Sequence, residues 1–230
     1  MRGVFIAGTD TNVGKTWVAC QLLINARTIG MNVATMKPIA SGGFGLKNDD
    51  AVALMNAAKS EEAYELINPY NFTLPISPHL AAQEAGQTID LQVICSAATK
   101  LEKNGAWLVV EGAGGWLTPI SPHHTMADVA RILNLPVILV VGMRLGCLSH
   151  ALLSAVAITT SGLRLAGWVA NSLPRNQTNK MLKEAENIAT LSTLLAEPPL
   201  AYFAQDDSSA TTQHQATTAI ARLLGNNKNR

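Results

Sequence analysis

A glycine-rich loop near the start of the chain limits the possible folds more than any other feature. The segment Gly8–Thr16, GTDTNVGKT, joins the apolar run Gly3–Gly8 to a stretch with apolar residues at helical spacing. Such a loop presents free backbone N–H groups at the positive end of a helix dipole. Gly14 lets the main chain approach phosphate oxygens, Lys15 can reach the β- and γ-phosphates, and the Thr16 hydroxyl suits Mg²⁺. Five residues separate the two glycines, where the standard pattern has four, so the sequence predicts an altered phosphate-binding loop.

Short apolar runs alternate with helical patterns along the rest of the chain. Besides Gly3–Gly8, strands are predicted within 31–40, closed by Lys37-Pro38, and over 106–112, 136–142 and 163–171. Helices are predicted over 89–103, 126–133, 147–160, 176–195 and 211–224. This alternation predicts an α/β fold of the P-loop NTPase type, a mainly parallel sheet with helices on both faces. We expect residues 1–230 to form a single domain.

Polar residues stand where the predicted strands end, and ligands of parallel sheets bind beyond the carboxyl ends of strands. Lys37 ends the second strand, and its ammonium beside a phosphate loop would stabilise charge that develops in phosphoryl transfer. Ser41, in IASGG, offers a hydroxyl at the same edge. Glu111 ends an apolar strand before GAGG, and Mg²⁺ with nucleotide takes one or two carboxylates. Asp49 and Asp50, in KNDDAVAL, are both candidates for the second carboxylate, and spacing alone does not choose between them.

The charge and cysteine content exclude several classes of partner. With 17 basic and 16 acidic residues the formal net charge is +1, so no global field attracts nucleic acid or an anionic membrane. The three cysteines Cys20, Cys95 and Cys147 form no CxxC pair and no metal-ligand spacing, which indicates a reducing compartment. The N-terminal run lacks a signal peptide's apolar region and cleavage site. We therefore expect a cytoplasmic protein that binds neither nucleic acid nor membrane.

Seven segments, in order along the chain, resemble one known family. They are GTDTNVGKT, MKPIASG, NDDAVAL, NPYNFTLPISPH, VEGAGGWLTPIS, LPVILVVGMRLGCLSHALL and LAGWVAN, and they span about the first 170 residues. On these motifs the chain resembles the dethiobiotin synthetases, in which the extra residue of the phosphate loop is itself characteristic. Beyond Asn171 the match thins, although LLAEPPL still resembles the family's nucleotide-base loop.

The resemblance implies an ATP- and Mg²⁺-dependent ligase of biotin synthesis. Such an enzyme joins CO₂ to 7,8-diaminononanoate and closes a ureido ring, giving dethiobiotin, ADP and phosphate. One amine first captures CO₂ as a carbamate, whose oxygen attacks the γ-phosphate to give a carbamic–phosphoric anhydride. The second amine then displaces phosphate. A carbamate oxygen leaves poorly until it is phosphorylated, so the enzyme's main task is to position groups and neutralise charge.

The resemblance also implies roles for single residues. Lys15 and Lys37 would hold the carbamate and the transferring phosphoryl group, with Thr11 as a third catalytic position. Thr11 and Ser41 would lie near the diamine, and the Mg²⁺ ligands would be Thr16, Glu111 and Asp50, which by resemblance is preferred to Asp49. The implied ATP contacts are Asn12, Val13, Gly14, Lys15, Thr16, Trp17, Asp50, Glu111, Gly112, Ala113, Gly114, Asn171 and Ser172, with Pro199, Leu200, Ala201 and Asp206 for the base and ribose.

The family works as a homodimer in which the substrate tail reaches the partner subunit. The stretch 145–149 matches that contact, with Gly146, Cys147 and Ser149 as the substrate-binding positions, and a helix N-terminus there would suit a carboxylate. The chain departs from the family at two sites. Asn12 stands where the family often has Glu, so any role for a carboxylate there is missing. Ser149 stands where the family often has Asn, which would alter how the substrate tail is held. Neither departure touches the phosphate or metal residues.

Three other classes of protein use a similar nucleotide domain. A switch ATPase of the cell-division or plasmid-partition kind usually carries a signature lysine five residues before the Gly-Lys-Thr lysine, and here Asp10 occupies that position. An amidating ligase of the cobyrinic-acid type would need an additional glutaminase domain. A paralogous ligase acting on another amine stays possible on sequence grounds, and its difference would lie in the predicted loop 77–86, SPHLAAQEAG.

Overall fold

The strands at the centre of the molecule are apolar along their whole length because helices cover both faces of their sheet. The computed structural model describes residues 1–43, 46–173, 181–204 and 209–225. The strands are β1 (Gly3–Gly8), β2 (Val33–Met36), β3 (Ile39–Ser41), β4 (Tyr70–Phe72), β5 (Trp107–Glu111), β6 (Val137–Met143), β7 (Leu165–Ser172) and β8 (Ala201–Phe203). Six of them form a parallel sheet in the order β2-β5-β1-β6-β7-β8, and β3 and β4 form a separate parallel pair.

The helices divide into two groups according to the sheet face that they cover. They are α1 (Lys15–Thr28), α2 (Asp49–Ala58), α3 (Tyr64–Ile67), α4 (Pro78–Glu84), α5 (Leu91–Leu101), α6 (Met126–Leu133), α7 (Cys147–Thr160), α8 (Glu184–Leu194) and α9 (Ser209–Gly225). Alternate strand residues such as Val4 and Ile6 pack with α1, α2 and α9. Phe5 and Ala7 point the other way, into a core shared with α4 to α7. The predicted α/β fold of the P-loop NTPase type, with helices on both faces, is confirmed.

Proline divides the stretch 31–40 between two sheets. Only Val33–Met36 joins the main sheet, as β2, while Ile39–Ser41 pairs with β4. Pro38 has no N–H for a sheet, and the Lys37 N–H donates to the Ile67 carbonyl (2.8 Å) rather than to a strand. This main-chain hydrogen bond holds Lys37 between the two sheets, directly after the last residue of β2.

Other expected boundaries need correction. In the predicted helix 176–195, residues 181–183 are not helical and α8 begins at Glu184, while residues 174–180 lie outside the described ranges. The stretch 77–86 was expected to be a loop but contains α4, which begins with Pro78 in its first turn. The short strands β4 and β8 and the four-residue helix α3 were not predicted. Across the described ranges, no helix combines the length and apolar character needed to cross a membrane.

Candidate active site

Side chains from both sheets and the phosphate loop converge on one cleft at the carboxyl end of the main sheet. The cleft measures about 1300 Å³, more than the roughly 300–1,000 Å³ of an ordinary small-molecule site, so it has room for two ligands. The residues predicted for the site that line it are Thr11, Asn12, Gly14, Lys15, Thr16, Trp17, Lys37, Ser41, Asp50, Glu111, Ala113, Gly114, Asn171 and Ser172. The parallel topology brings together groups that lie far apart in the sequence.

The phosphate loop keeps its helix end open to a ligand. Gly14 precedes α1 in the left-handed conformation (φ +88°), and no side chain caps the first N–H groups of the helix. A Cβ at Gly14 would lie 2.1 Å from Asn171 Nδ2, and that amide donates to the Val13 carbonyl (2.9 Å). Only glycine fits both the backbone angle and this close approach. The uncapped N–H groups stay available for phosphate oxygens.

Asp10 holds the first half of the same loop. Its carboxylate accepts a hydrogen bond from the Thr11 N–H (2.7 Å) and forms an ion pair with Arg144, and its carbonyl accepts from Lys15 Nζ at 2.8 Å. Burial alone would raise the pKa of Asp10, but the Thr11 N–H and the Arg144 guanidinium lower it below its ordinary value. The position that carries a signature lysine in switch ATPases therefore holds a charged carboxylate that fixes the loop.

Lys37 lies between two carboxylates at the centre of the site. Its Nζ is 2.5 Å from Glu111 Oε1 and 3.0 Å from Asp50 Oδ2, and the Thr16 hydroxyl donates to Glu111 Oε1 at 2.9 Å. Met36 pairs with Val110 in the β2–β5 register, which places Lys37 opposite Glu111. Lys37 and Glu111 are buried, whereas the Asp50 side chain is 45% exposed toward the cleft. One ammonium thus makes direct contact with both carboxylates.

The two active-site lysines have opposite pKa shifts. Burial and the nearby Lys37 ammonium lower the pKa of Lys15 to about 8, against the opposing pull of Glu111, Asp50 and Asp10. Burial would also lower the pKa of Lys37, but Glu111 and Asp50 outweigh it and hold that pKa above its ordinary value. Burial would raise the pKa of Asp50, but Lys37 lowers it. Lys37 and Asp50 therefore stay charged, and Lys15 titrates close to neutrality.

Asn48 organises the site and was not predicted. It is the N-cap of α2, and its Oδ1 accepts from the N–H groups of Asp50 (3.0 Å) and Ala51 (3.3 Å). Its Nδ2 donates to the Gly42 carbonyl (2.8 Å), which ties the turn after Ser41 to α2. An Asn before an apolar helical pattern is a recognised cap signal, so the sequence contained this information. Because Asn48 caps the helix, the Asp50 carboxylate is free to reach Lys37.

Comparison with known proteins places this chain in a family. A family model described as an AAA domain matches residues 2–202. The ATP-dependent dethiobiotin synthetase of Pseudescherichia vulneris is 46% identical over 199 residues, which cover 84% of this chain and 81% of that protein. The protein of the same name from Pseudomonas paraeruginosa is 46% identical over 205 residues, which cover 87% of this chain and 88% of that protein. The chain belongs to the dethiobiotin synthetase family. The resemblance expected from the seven motifs is confirmed.

The fold itself is shared more widely than the dethiobiotin synthetase family. The septum site-determining protein MinD of Pyrococcus horikoshii, in a complex with Mg-ADP, superposes with a TM-score of 0.58 at 14% identity, covering 99% of this chain and 96% of that one. At so low an identity this similarity shows the fold alone. The switch-ATPase reading is therefore not favoured, since the sequence relatives are dethiobiotin synthetases and Asp10 replaces the signature lysine.

Several positions that the dethiobiotin synthetase resemblance implies do not line the cleft. Val13 and Gly112 are buried behind its wall, and Leu200 and Ala201 are buried in the core, where Leu200 packs against Gly167. Pro199 is also absent from the lining; Phe203 and Ala204, three and four residues after Leu200, line the cleft instead. Asp206 lies outside the described residues. The nucleotide contacts of these positions stay predictions.

The stretch that the family resemblance assigns to the partner subunit also lies away from the cleft. Gly146 and Ser149 are exposed at the start of α7, and Leu145 is 95% exposed. Cys147 is buried, and burial raises the pKa of its thiol above the ordinary value, so it packs rather than acts as a nucleophile. Asn12 has a backbone reason for replacing the family's frequent Glu, since its φ of +59° is tolerated best by Gly and Asn.

Mg²⁺ fits the donor groups around Glu111. The second oxygen of Glu111, Oε2, is buried and has no hydrogen-bond partner within the described part of the chain, and an unpaired buried carboxylate oxygen is costly. Asp50 and the Thr16 hydroxyl lie beside it, as their contacts with Lys37 and Glu111 show. Hard oxygen donors, few of them from protein, are the set that Mg²⁺ takes together with nucleotide phosphates.

Proposed function

We propose that this protein is an ATP-dependent dethiobiotin synthetase. It joins CO₂ to 7,8-diaminononanoate and closes the ureido ring, with ATP converted to ADP and phosphate. The observation that carries the proposal is the buried Lys37 ammonium held between Glu111 and Asp50, next to the phosphate loop, in a chain whose relatives bear that enzyme's name. A single domain spanning residues 1–230 would catalyse the reaction in the cytoplasm, as the resemblance implies.

The charges of the site suit each step of this reaction. One amine adds to CO₂ and releases a proton to form the carbamate, and a carbamate oxygen then attacks the γ-phosphorus while ADP leaves. Lys37, whose pKa is raised, stays an ammonium and offsets the charge of the carbamate and the phosphoryl oxygens. Lys15 and the loop N–H groups hold the phosphates. The second amine attacks the carbamoyl carbon, expels phosphate and loses a proton. Thr11 and Ser41, which line the cleft, would contact the diamine.

Thr16, Asp50 and Glu111 would hold Mg²⁺ in this reaction. Bound there with nucleotide, the ion would neutralise charge on the phosphate oxygens. The fit rests on the unpaired Glu111 Oε2 and on the closeness of the Asp50 carboxylate and the Thr16 hydroxyl.

Asp50→Asn should raise the Mg²⁺ concentration for half-maximal activity by about 10- to 100-fold, the range seen when a metal site loses a supporting group. Asp49→Asn is the matched control, because both aspartates lie in the first turn of α2 and act equally on its dipole, but Asp49 is exposed and does not line the cleft. Its Mg²⁺ requirement should stay within about twofold of wild type. Equal effects of the two variants would contradict the assignment of Asp50.

ADP binding at pH 8 should be accompanied by uptake of about half a proton, because at a pH equal to the pKa half of the Lys15 side chains are neutral. Phosphate favours the ammonium and raises the Lys15 pKa, so affinity should fall as pH rises through 8. Calorimetric titration in buffers of different ionisation enthalpy measures the uptake. Lys15→Arg stays charged and should abolish it. Equal uptake by the two proteins would contradict the assigned titration.

The substrate site is proposed to be completed by a second copy of the chain. Supporting this, Gly146, Cys147 and Ser149 lie off the cleft of their own subunit, while α7 exposes Leu153 (67%) and Val156 (63%). An apolar helix face of this kind suits burial against another subunit. The uncapped start of α7, after Gly146, would then face the partner's bound carboxylate.

The experiment that tests the function is phosphate release from ATP and Mg²⁺, with bicarbonate and 7,8-diaminononanoate each added or omitted. Release that requires both, with one dethiobiotin formed per phosphate, is expected. Release that needs bicarbonate but not this diamine would identify a paralogue acting on another amine. Phosphate release that is unaffected by bicarbonate and by the diamine would overturn the ligase assignment and favour a switch ATPase.

A further inference from the structure

We propose that the indole of Trp17 is the surface on which the base of the bound nucleotide stacks. This inference rests on the proposed use of ATP and assigns to the Trp17 side chain a role beyond lining the phosphates. The ligand class is a purine nucleoside di- or triphosphate, anchored by its phosphates at the loop and held at its base by the aromatic face.

Trp17 differs from the other tryptophans of the chain in its exposure. Its side chain is 50% exposed, whereas Trp107, Trp116 and Trp168 are between 1% and 4% exposed. A single exposed apolar residue needs no special explanation. What distinguishes Trp17 is its place, in the lining of the large cleft and directly after the loop residues Gly14–Thr16.

The arrangement of the sheet gives the nucleotide a direction. Lys37 and Glu111 lie where β2 and β5 end, on one side of β1, and Asp50 of α2 contacts Lys37 there. In the proposed reaction these groups mark the γ-phosphate end. The nucleoside of a ligand anchored at Lys15 and Thr16 must then extend the other way. On that side the cleft is lined by the ends of β7 and β8. Helix α1 packs against α2 on the γ-phosphate side and against α9 on the other side, and α9 packs against β8. Trp17 lies in the first turn of α1 and lines the cleft, and we place its indole at the nucleoside end.

Polar groups at this end are largely engaged with the protein itself. One N–H of the Asn171 amide is donated to the Val13 carbonyl, and the Ser172 hydroxyl donates to Glu184. The family resemblance implies that these two residues meet adenine, with Pro199, Leu200, Ala201 and Asp206 as further candidates for the base and ribose. The hydrogen bonds of Asn171 and Ser172 leave the Asn171 amide its Oδ1 acceptor and one N–H, which could recognise the edge of a base, but neither residue offers an aromatic face on which the base could stack.

Trp17 supplies the open aromatic surface at this end. Two aromatic residues line the described part of the cleft, and the other, Phe203, is 2% exposed. Removing an aromatic platform costs about 5- to 140-fold in affinity, which corresponds to about 1–3 kcal/mol per stacked base. Every purine has a π-face, so the loss should be similar for adenine and guanine nucleotides.

The test is calorimetric titration of the full-length protein with ADP, GDP and inorganic pyrophosphate, which lacks a base. Trp17→Ala should weaken ADP and GDP at least fivefold, Trp17→Phe by less than about threefold, and neither should change pyrophosphate affinity by more than about twofold. Ile24→Ala is the matched control, since Ile24 lies on the same face of α1 two turns further on, is 39% exposed and does not line the cleft.

Fluorescence provides a second readout. ADP should change the tryptophan emission of the wild type and leave that of Trp17→Phe unchanged, because the remaining tryptophans are buried. An ADP affinity of Trp17→Ala within twofold of wild type would overturn the inference, and so would an equal loss for ADP and pyrophosphate, which indicates a distorted loop. A wild type that binds neither ADP nor pyrophosphate would instead overturn the proposed function.

Discussion

Lys37→Gln should lower the rate of dethiobiotin formation by about 10²- to 10³-fold, the loss typical of removing one preorganised group that stabilises developing charge. Gln is one bond shorter than Lys and uncharged, and its amide keeps an N–H donor near Glu111, so the variant removes mainly the charge. The phosphate loop is untouched, so affinity for ADP measured with Mg²⁺ should change much less than the rate. Single-turnover phosphate release, with both cosubstrates saturating, measures the effect on the chemical step.

The same substitution should also destabilise the protein. Glu111 is buried, and removal of one partner from a buried ion pair costs about 3–5 kcal/mol. Thermal unfolding should show a lower Tm than wild type, and Mg²⁺ with ADP should recover part of it. Lys100→Gln, an exposed lysine at the end of α5, controls for loss of a lysine elsewhere. Unchanged turnover in Lys37→Gln would remove Lys37 from the reaction.

The strand framework could be predicted because its sequence signal is local. Continuous apolar runs gave β1, β5, β6 and β7, and a loop between strand and helix gave the phosphate site. The three-residue strands β3, β4 and β8 carry no periodicity that could be recognised. Strand β8 pairs with the edge of the longer β7 and places Phe203 and Ala204 in the cleft, whereas β3 and β4 pair with each other.

The contacts within the site depended on register and capping, which spacing does not reveal. Sequence showed that Lys37 and Glu111 both end strands, but only the pairing of Met36 with Val110 places the two side chains opposite each other. Spacing likewise did not decide whether Asp49 or Asp50 is the second carboxylate of the site. Asn48 decides between them, because its cap fixes the start of α2 and with it the residue that turns toward Lys37.

Glu111→Gln should remove most of the effect of Mg²⁺ on nucleotide binding. Mg²⁺ with nucleotide depends on one or two protein carboxylates, and Glu111 is the buried one, with an oxygen that lacks a partner among the described residues. The amide keeps the size of the side chain and can still accept from the Thr16 hydroxyl. We expect turnover to fall by about 10²- to 10³-fold and the Mg²⁺ requirement to rise at least about tenfold.

The decisive quantity for Glu111→Gln is the ratio of ADP affinities measured with and without Mg²⁺. A carboxylate that binds the ion strengthens ADP only when Mg²⁺ is present and repels its phosphates otherwise. The ratio should therefore fall toward one, through weaker binding with Mg²⁺ and equal or tighter binding without it. Glu62→Gln, an exposed glutamate before α3, should keep the wild-type ratio. A wild-type ratio in Glu111→Gln would show that the ion is held without this carboxylate, leaving Asp50 and Thr16 as its protein ligands.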